Sequence, residues 1–379
     1  MTSPLCAIRR LVADTRNRCV RSREDEGSID GSLRPIAQNP DCALLQLPVD
    51  VILLISQALS SASRALLSQT CCSLRAVLGS HSAATLERHQ RLEYLAGVAR
   101  DLPERWVCEA CVKLHRVVNL DTPKEPQHMS CPLGWDSWRH RAYHYRRHRL
   151  DSRLVRLDHR HVQLALKYTR LRDEGHREYL QKLLEPYRDD NFVTHIYPCR
   201  PGVLAARYLV YPKVVVGADN NLRYMTLSTW LYHTDIEPIS PFAVGDLYVC
   251  PHLCFLHSLW LKFGPVGRVG AVIHAALETQ GASGELFGAC PRCHTDFSVR
   301  ASQDHVELSV WQDLGPEGHP ENPAWLSQNN MVRQETSNAN LEALALAHEP
   351  GSVRRLYYSG GCEAGNLLRL HDQKRDGGN

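Results

Sequence analysis

Two groups of cysteine and histidine, each spaced as metal ligands are spaced, constrain this chain's fold more than any other feature. The first reads Trp106-Val107-Cys108-Glu109-Ala110-Cys111-Val112-Lys113-Leu114-His115, with Cys131-Pro132-Leu133-Gly134 later, a C-x2-C-x3-H-x15-C pattern. Two thiolates two residues apart can grip one ion because a tight knuckle turns both sulfurs inward, and a distant Cys and a His complete a tetrahedron. Cys108, Cys111, His115 and Cys131 are therefore candidate ligands. The competing reading is a redox pair or two unrelated core thiols. A redox pair belongs beside a βαβ pattern, whereas Pro123, Pro126 and Pro132 make these surroundings loop-like.

The second group is Cys250-Pro251-His252-Leu253-Cys254, then Cys290-Pro291-Arg292-Cys293-His294. The segment Phe297–Arg300, a polar Ser302-Gln303-Asp304 turn and the segment Val306–Trp311 follow. Cys290 and Cys293 thus form a knuckle leading into a hairpin, as in zinc ribbons. The first half offers more donors than one ion needs. Cys250 completes the site with either His252 or Cys254, unless Cys250 and Cys254 are simply buried at a strand end. Ligands could also be exchanged, with Cys131 joining the later group. The expected ion is zinc in a structural role, because four protein donors leave no position for water and binding is coupled to folding.

No catalytic constellation accompanies these ligands. A deaminase places H-x-E before P-C-x-x-C, but here His305-Val306-Glu307 follows Cys290 and Cys293. H-E-x-x-H, G-x-S-x-G and the phosphate-binding G-x-x-x-x-G-K are all missing. A non-enzymatic protein is the expectation.

Forty-four Lys and Arg against 41 Asp and Glu leave a net charge of +3, so no strong overall field draws the chain to nucleic acid or to a membrane. The longest apolar stretch, residues 44–59, is interrupted by Gln46, Pro48, Asp50, Ser56 and Gln57. It falls short of the roughly 20 apolar residues of a membrane span. Arg9, Arg10, Arg16, Arg18, Arg21 and Arg23 face only Asp14 at the start, and no apolar run follows them, which disfavours a secretory signal. The pattern is compatible with a mitochondrial transit peptide. The acidic, Gly-containing stretch from Glu24 favours a disordered lead-in instead, and a cytoplasmic or nuclear protein whose thiols stay reduced.

Residues 44–82 form a short helical module. Pro48 suits a first helical turn, and Ile52, Ile55 and Leu59 share a face. Val51, Leu53 and Leu54 fill the positions between them, so this helix is apolar around most of its circumference and needs cover on several sides. Ser63 is placed to cap a second helix with Leu66 and Leu67, and Gly79 to end a third with Leu74, Val77 and Leu78. So few residues cannot bury this surface among themselves. Either the rest of the chain or another protein covers it.

The order Leu47-Pro48-x-Asp50-Val51-x-Leu53-x-Ile55-x3-Leu59, then Leu67-x2-Thr70-Cys71-x2-Leu74-Arg75, resembles the F-box. Asp50 stands where Glu is commoner, and Leu74 lies near the place of the usual aromatic. The resemblance implies a small helical bundle docking on the Skp adaptor, and through it a cullin, of a ubiquitin ligase. Leu47, Pro48, Val51, Ile52, Ile55, Leu59, Leu67 and Leu74 would be the contact residues.

Farther along, residues 139–177 are rich in Arg, with His and Tyr interleaved. They could hold a phosphate backbone. The alternation of Val162, Leu164, Leu166 and Tyr168 favours a half-buried strand with a solvated basic face. Tyr179, Leu180, Leu183 and Leu184 indicate a short helix ended by Pro186. Val214-Val215-Val216 and the run 222–227 flank Gly217-Ala218-Asp219-Asn220-Asn221, a hairpin signal. Helices are expected at 270–277 and 341–347, and Trp325 is expected to pack back over the last hairpin.

Taken in order, the Leu-Pro motif, Asp101-Leu102-Pro103 before the first knuckle, His161-Val162-Gln163-Leu164-Ala165-Leu166-Lys167-Tyr168, and Cys290-x2-Cys293-His294-Thr295-Asp296-Phe297 resemble the fungal F-box proteins with a Cys-containing C-terminal region. This likeness spans residues 44–327 and implies an adaptor role without naming a substrate. The expected class is α+β. Its expected parts are a disordered 1–42, an F-box at 43–83, a helix and knuckle at 84–137, a basic strand and helix segment at 138–190, a β-rich region at 191–327, and a helix and tail at 328–379. The expected function is that of a substrate receptor, the alternative being a zinc-containing nucleic-acid-binding protein using residues 139–177.

Overall fold

The structure is a computed structural model of the chain. It describes residues 42–79, 85–134, 157–189, 205–235, 238–239, 244, 247–255, 268–278, 284–329 and 346–359. N-terminal helices are followed by a hairpin-rich antiparallel sheet, an α+β arrangement. The chain divides into two compact units, Met1–Arg116 and Val117–Asn379. The segment expected at 84–137 is therefore split, its helix and knuckle hairpin falling in the first unit. The disordered lead-in expected at 1–42 lies, except for Cys42, outside the described residues.

In the first unit, Pro48 precedes helix α1 (Val49–Gln57), its fixed φ setting the entry. Helices α2 (Ser61–Ser68) and α3 (Cys72–Leu78) follow. The cap of α2 is Ser60, not Ser63: the Ser60 hydroxyl accepts from the Ser63 backbone N–H at 3.2 Å. Gly79 ends α3 at φ 74, a conformation that favours glycine. Ile52, Leu67, Leu74 and Leu78 make the core of this bundle. Helix α4 (Arg88–Ala99), opened by a Glu87–Gln90 capping box, packs on α2. Gly97 permits that approach, since a Cβ there would run into the Leu66 side chain. Strands β1 (Arg105–Cys108) and β2 (Lys113–Arg116) form a hairpin, and Val107, Val112 and Leu114 pack on Leu92 and Ala99 of α4.

The second unit opens with helices α5 (His159–Leu171) and α6 (Arg177–Leu183). A six-stranded antiparallel sheet then forms from β3 (Tyr187–Asp189), β4 (Ala205–Val216), β5 (Leu222–His233), β8 (Leu286–Ala289), β9 (Thr295–Ala301) and β10 (His305–Pro316). Its spatial order is β3-β4-β5-β10-β9-β8. A separate pair, β6 (Leu247–Cys250) and β7 (Leu253–Phe255), precedes helix α7 (Arg268–Glu278). Helices α8 (Pro323–Asn329) and α9 (Ser352–Ser359) come last. The hairpin read at residues 214–227 forms as expected, with Val216 opposite Leu222.

Side chains alternate across a strand, and both faces of this sheet are used. Tyr208, Trp230, Tyr232, Phe297, Val299, Leu308 and Val310 pack with Ile273, Ala276 and Leu277 of α7 and with Val249 and Leu253. Val215, Met225, Leu227 and Trp311 pack with Val353 and Tyr357 of α9. Asp296 anchors α9 by accepting from the Gly351 and Arg354 backbone N–H groups, both at 3.0 Å, and from His348 at 3.1 Å.

The strand expected at 162–168 is a helix. Residues 159–168 of α5 are all buried, including Arg160 and Lys167. An Asp158–His161 capping box opens it. Of the helix expected at 341–347, residues 341–345 lie outside the described ones and Leu346 and Ala347 are not helical. Trp325 packs edge-on against His159, ring centroids 5.3 Å apart. Among the described residues no helix is long and apolar enough to cross a membrane.

Candidate metal centres

The first knuckle lies at the β1–β2 turn. Cys108 ends β1 opposite Lys113, and Trp106 lies opposite His115 with ring centroids 5.2 Å apart. Trp106 is fixed by its Nε1–H donating to the Arg116 carbonyl at 3.0 Å. The turn passes through Val112 at φ 52, a costly conformation for a β-branched residue. It leaves Cys111 Sγ 3.0 Å from His115 Nε2. Burial, with Lys113 and Arg105 nearby, lowers the His115 pKa, which favours the neutral form whose lone pair a metal can take.

The second group is assembled from two turns in the second unit. Cys250 ends β6 and His252 sits in the tight β6–β7 turn. Cys290 and Cys293 occupy the β8–β9 turn. That turn is held by Cys290 N–H donating to the Thr295 carbonyl at 2.8 Å and Thr295 N–H to the Cys293 carbonyl at 2.7 Å. Cys290 Sγ lies 3.8 Å from His252 Nδ1 and accepts from the Arg292 backbone N–H at 3.4 Å. Burial and the two neighbouring thiols push the Cys250 thiol well up. Hydrogen bonds from Cys250 and Cys293 hold Cys290 well below the ordinary thiol range. Cys250 helps Cys293 ionise, but Cys290 and burial win and push Cys293 up to about 12. Three buried sulfurs so close cannot all ionise without a cation among them.

Among the described residues, Cys250, His252, Cys290 and Cys293 can hold a metal ion, and Cys108, Cys111 and His115 form such a group within the first unit. Within each, the ligand atoms lie within 4.8 Å of one another. Cys131 belongs to the second unit, whereas Cys108, Cys111 and His115 belong to the first. Of the two donors left open beside Cys250, His252 is placed with the later group. The backbone of Cys254 pairs with Tyr248 in β7, while its side chain lies outside the described residues. The chain has no significant match among family profiles, curated proteins or solved structures.

The apolar residues of the N-terminal bundle separate into two sets. Ile52, Leu67 and Leu74, expected to touch a partner, are buried in the bundle's own core because α2 and α3 close over that face of α1. They are corrected to core residues. Ile55 and Leu59 are half-buried, and Leu47, Pro48 and Val51 are exposed. Val49, Leu53 and Leu54, which the contact residues read from the sequence did not include, are exposed beside them, Leu54 by 63%. Their signal was the surplus of aliphatic residues over what one helix face can bury.

In the basic segment, residues 139–156 lie outside the described ones. Arg160 is spent inside the fold, donating to Asp121 at 2.7 and 2.8 Å, to the Pro126 carbonyl at 3.0 Å and to Asp158. Lys167 is fully buried and Arg170 pairs with Glu317 at 2.7 Å. The solvated basic face expected there is therefore not what these three residues form.

Proposed function

We propose that the chain is a non-catalytic substrate receptor that docks on a Skp-type adaptor of a cullin ubiquitin ligase through its N-terminal bundle, and that both Cys/His groups hold structural zinc. The carrying observation is the exposed strip of Leu47, Val49, Val51, Leu53 and Leu54 on and before α1. It flanks a bundle whose own core is already closed by Ile52, Leu67, Leu74 and Leu78. Exposed aliphatic residues gathered on one short element in this number mark an interaction site, and helix-in-groove docking uses such anchors.

Zinc is supported by the donor set. Three thiols and one imidazole suit a tetrahedral site, whose sulfur–nitrogen edge is roughly 3.6 Å for Zn–S bonds of about 2.3 Å and Zn–N bonds of about 2.0–2.1 Å. The 3.8 Å between Cys290 Sγ and His252 Nδ1 fits such an edge. Four protein donors leave no place for a reacting water, so the ion would staple the β6–β7 and β8–β9 turns together. The β-rich unit would then present the substrate surface.

A pull-down tests the reading. Full-length chain should retain purified Skp adaptor, and Leu54→Asp should reduce that retention. No retention by the wild-type chain, where a known F-box protein retains the adaptor, refutes it.

A further inference from the structure

Two glutamines that no ligand pattern contains sit directly behind the second group. Gln312 projects from β10 on the same face as Val306, Leu308 and Val310, where every other inward residue is apolar. Its Nε2 donates to the Val249 carbonyl at 3.3 Å, one residue before Cys250, and to Gln328 Oε1 at 2.9 Å. Gln328, on α8 and buried, donates from its own Nε2 to the His294 carbonyl and to Thr295 Oγ1, both at 3.1 Å. Thr295 Oγ1 is 3.2 Å from Cys293 Sγ, and both residues are fully buried.

The orientation of both glutamine amides is fixed. A backbone carbonyl only accepts, so Val249 fixes which end of Gln312 is the amide nitrogen and His294 fixes the same for Gln328. Gln328 Oε1 therefore faces a donor, and Thr295 Oγ1 receives one. The single hydroxyl hydrogen of Thr295 then has two acceptors in reach: Gln328 Oε1 at 3.4 Å, already engaged by Gln312, and Cys293 Sγ at the shorter 3.2 Å.

We propose that Gln312, Gln328 and Thr295 are positioning residues for the bound metal, a relay that delivers one hydroxyl hydrogen bond to the Cys293 sulfur while holding the strand end that carries Cys250. The proposal rests on the zinc reading of this group. A hydrogen bond to a thiolate ligand draws charge from the sulfur and fixes its direction, and such outer partners typically carry 10- to 100-fold in metal affinity. It also makes the seating of α8 on β10 dependent on the ion, because Gln328 belongs to the helix and Cys293 to the knuckle.

The test uses the full-length chain carrying Cys111→Ser, which silences the first group, titrated with Co²⁺ against a competing chelator. Thr295→Val and Gln328→Leu should each weaken cobalt binding by about tenfold or more. Both should also move the sulfur-to-cobalt charge-transfer band to longer wavelength. Thr295→Ser, which keeps the hydroxyl, should retain the parent's affinity and band position. Gln328→Leu leaves every strand residue intact, so it gives an independent readout if the Thr295→Val strand fails to fold. The proposal is overturned if Thr295→Val and Gln328→Leu bind as the parent does with an unshifted band, or if Thr295→Ser behaves like Thr295→Val. A Cys111→Ser parent that shows no sulfur-to-cobalt band sinks the zinc reading itself, and this proposal with it.

Discussion

Replacing Asp121 by Ala should destabilise the second unit more than any exposed substitution, and the reason is a buried charge left alone. The Asp121 carboxylate receives Arg160 Nε at 2.7 Å and Nη2 at 2.8 Å, and His161 Nε2 at 3.0 Å. Arg160 is 4% exposed and His161 is fully buried. Burial opposes ionisation of Asp121, but the hydrogen bonds and charge of His161 and Arg160 outweigh it, and the carboxyl titrates below its ordinary range. Removing one partner of such a pair costs about 3–5 kcal/mol because the other charge stays buried. Asp158 still faces Arg160 after the change, which puts the expected loss near the lower end, about 3 kcal/mol. For a unit of this size that is a fall in melting temperature of about 6–12 °C. Scanning calorimetry of the full-length chain would measure it. Asp121→Asn, which keeps an accepting oxygen, should cost less. A loss under about 1 kcal/mol for Asp121→Ala, the level of an ordinary surface change, would refute the claim that this carboxylate compensates the Arg160 charge.

Acid should weaken the same unit through its histidines. Burial lowers the His161 pKa to about 4, with Arg160 adding to the effect and Asp121 opposing it. Burial and neighbouring His319 lower the His159 pKa to about 3. Below pH 6.5 the unfolded chain takes up protons that the folded chain refuses, so stability falls as pH drops from about 6.5 toward 4, by about 3 kcal/mol for His161 alone; urea midpoints that stay constant across that window would contradict this. Metal analysis should give two zinc equivalents for wild type and one for Cys293→Ser, with Cys254→Ser unchanged at two; loss of an equivalent in Cys254→Ser would move the fourth ligand away from His252. Asp296→Ala should release α9, read as faster amide exchange at Gly351 and Arg354, with a loss of about 1–2 kcal/mol for a helix cap; unchanged exchange there would show the cap to be dispensable.

Local chemistry made much of this legible. The knuckle spacings, the turn around Asp219-Asn220 and the helix end at Gly79 each depend on a few adjacent residues, and each forms where it was read. Periodicity failed at α5. Val162, Leu164, Leu166 and Tyr168 alternate by coincidence, since every face of that helix is buried and no solvent side remains to set a period. Asp158 with His161 three residues on was the better signal there, a capping pair. Ser60 rather than Ser63 caps α2 because the three serines offer equivalent side chains and only the backbone entry angle chooses among them. Gln312 was visible in principle as a polar residue in the inward phase of an apolar strand, but its partners on α8 are distant in sequence.

The bundle's division into a closed core and an open strip carries the functional account, and adaptor affinity measures it most directly. Titration of full-length chain with purified Skp adaptor should give saturable one-to-one binding. Leu54→Asp, at a position too exposed to support the bundle, should weaken it by about 30-fold, the equivalent of roughly 2 kcal/mol for one lost aliphatic anchor, without altering the melting curve. Binding that is absent in the wild-type chain, or equally tight in Leu54→Asp, would contradict the assignment of this strip as the docking surface.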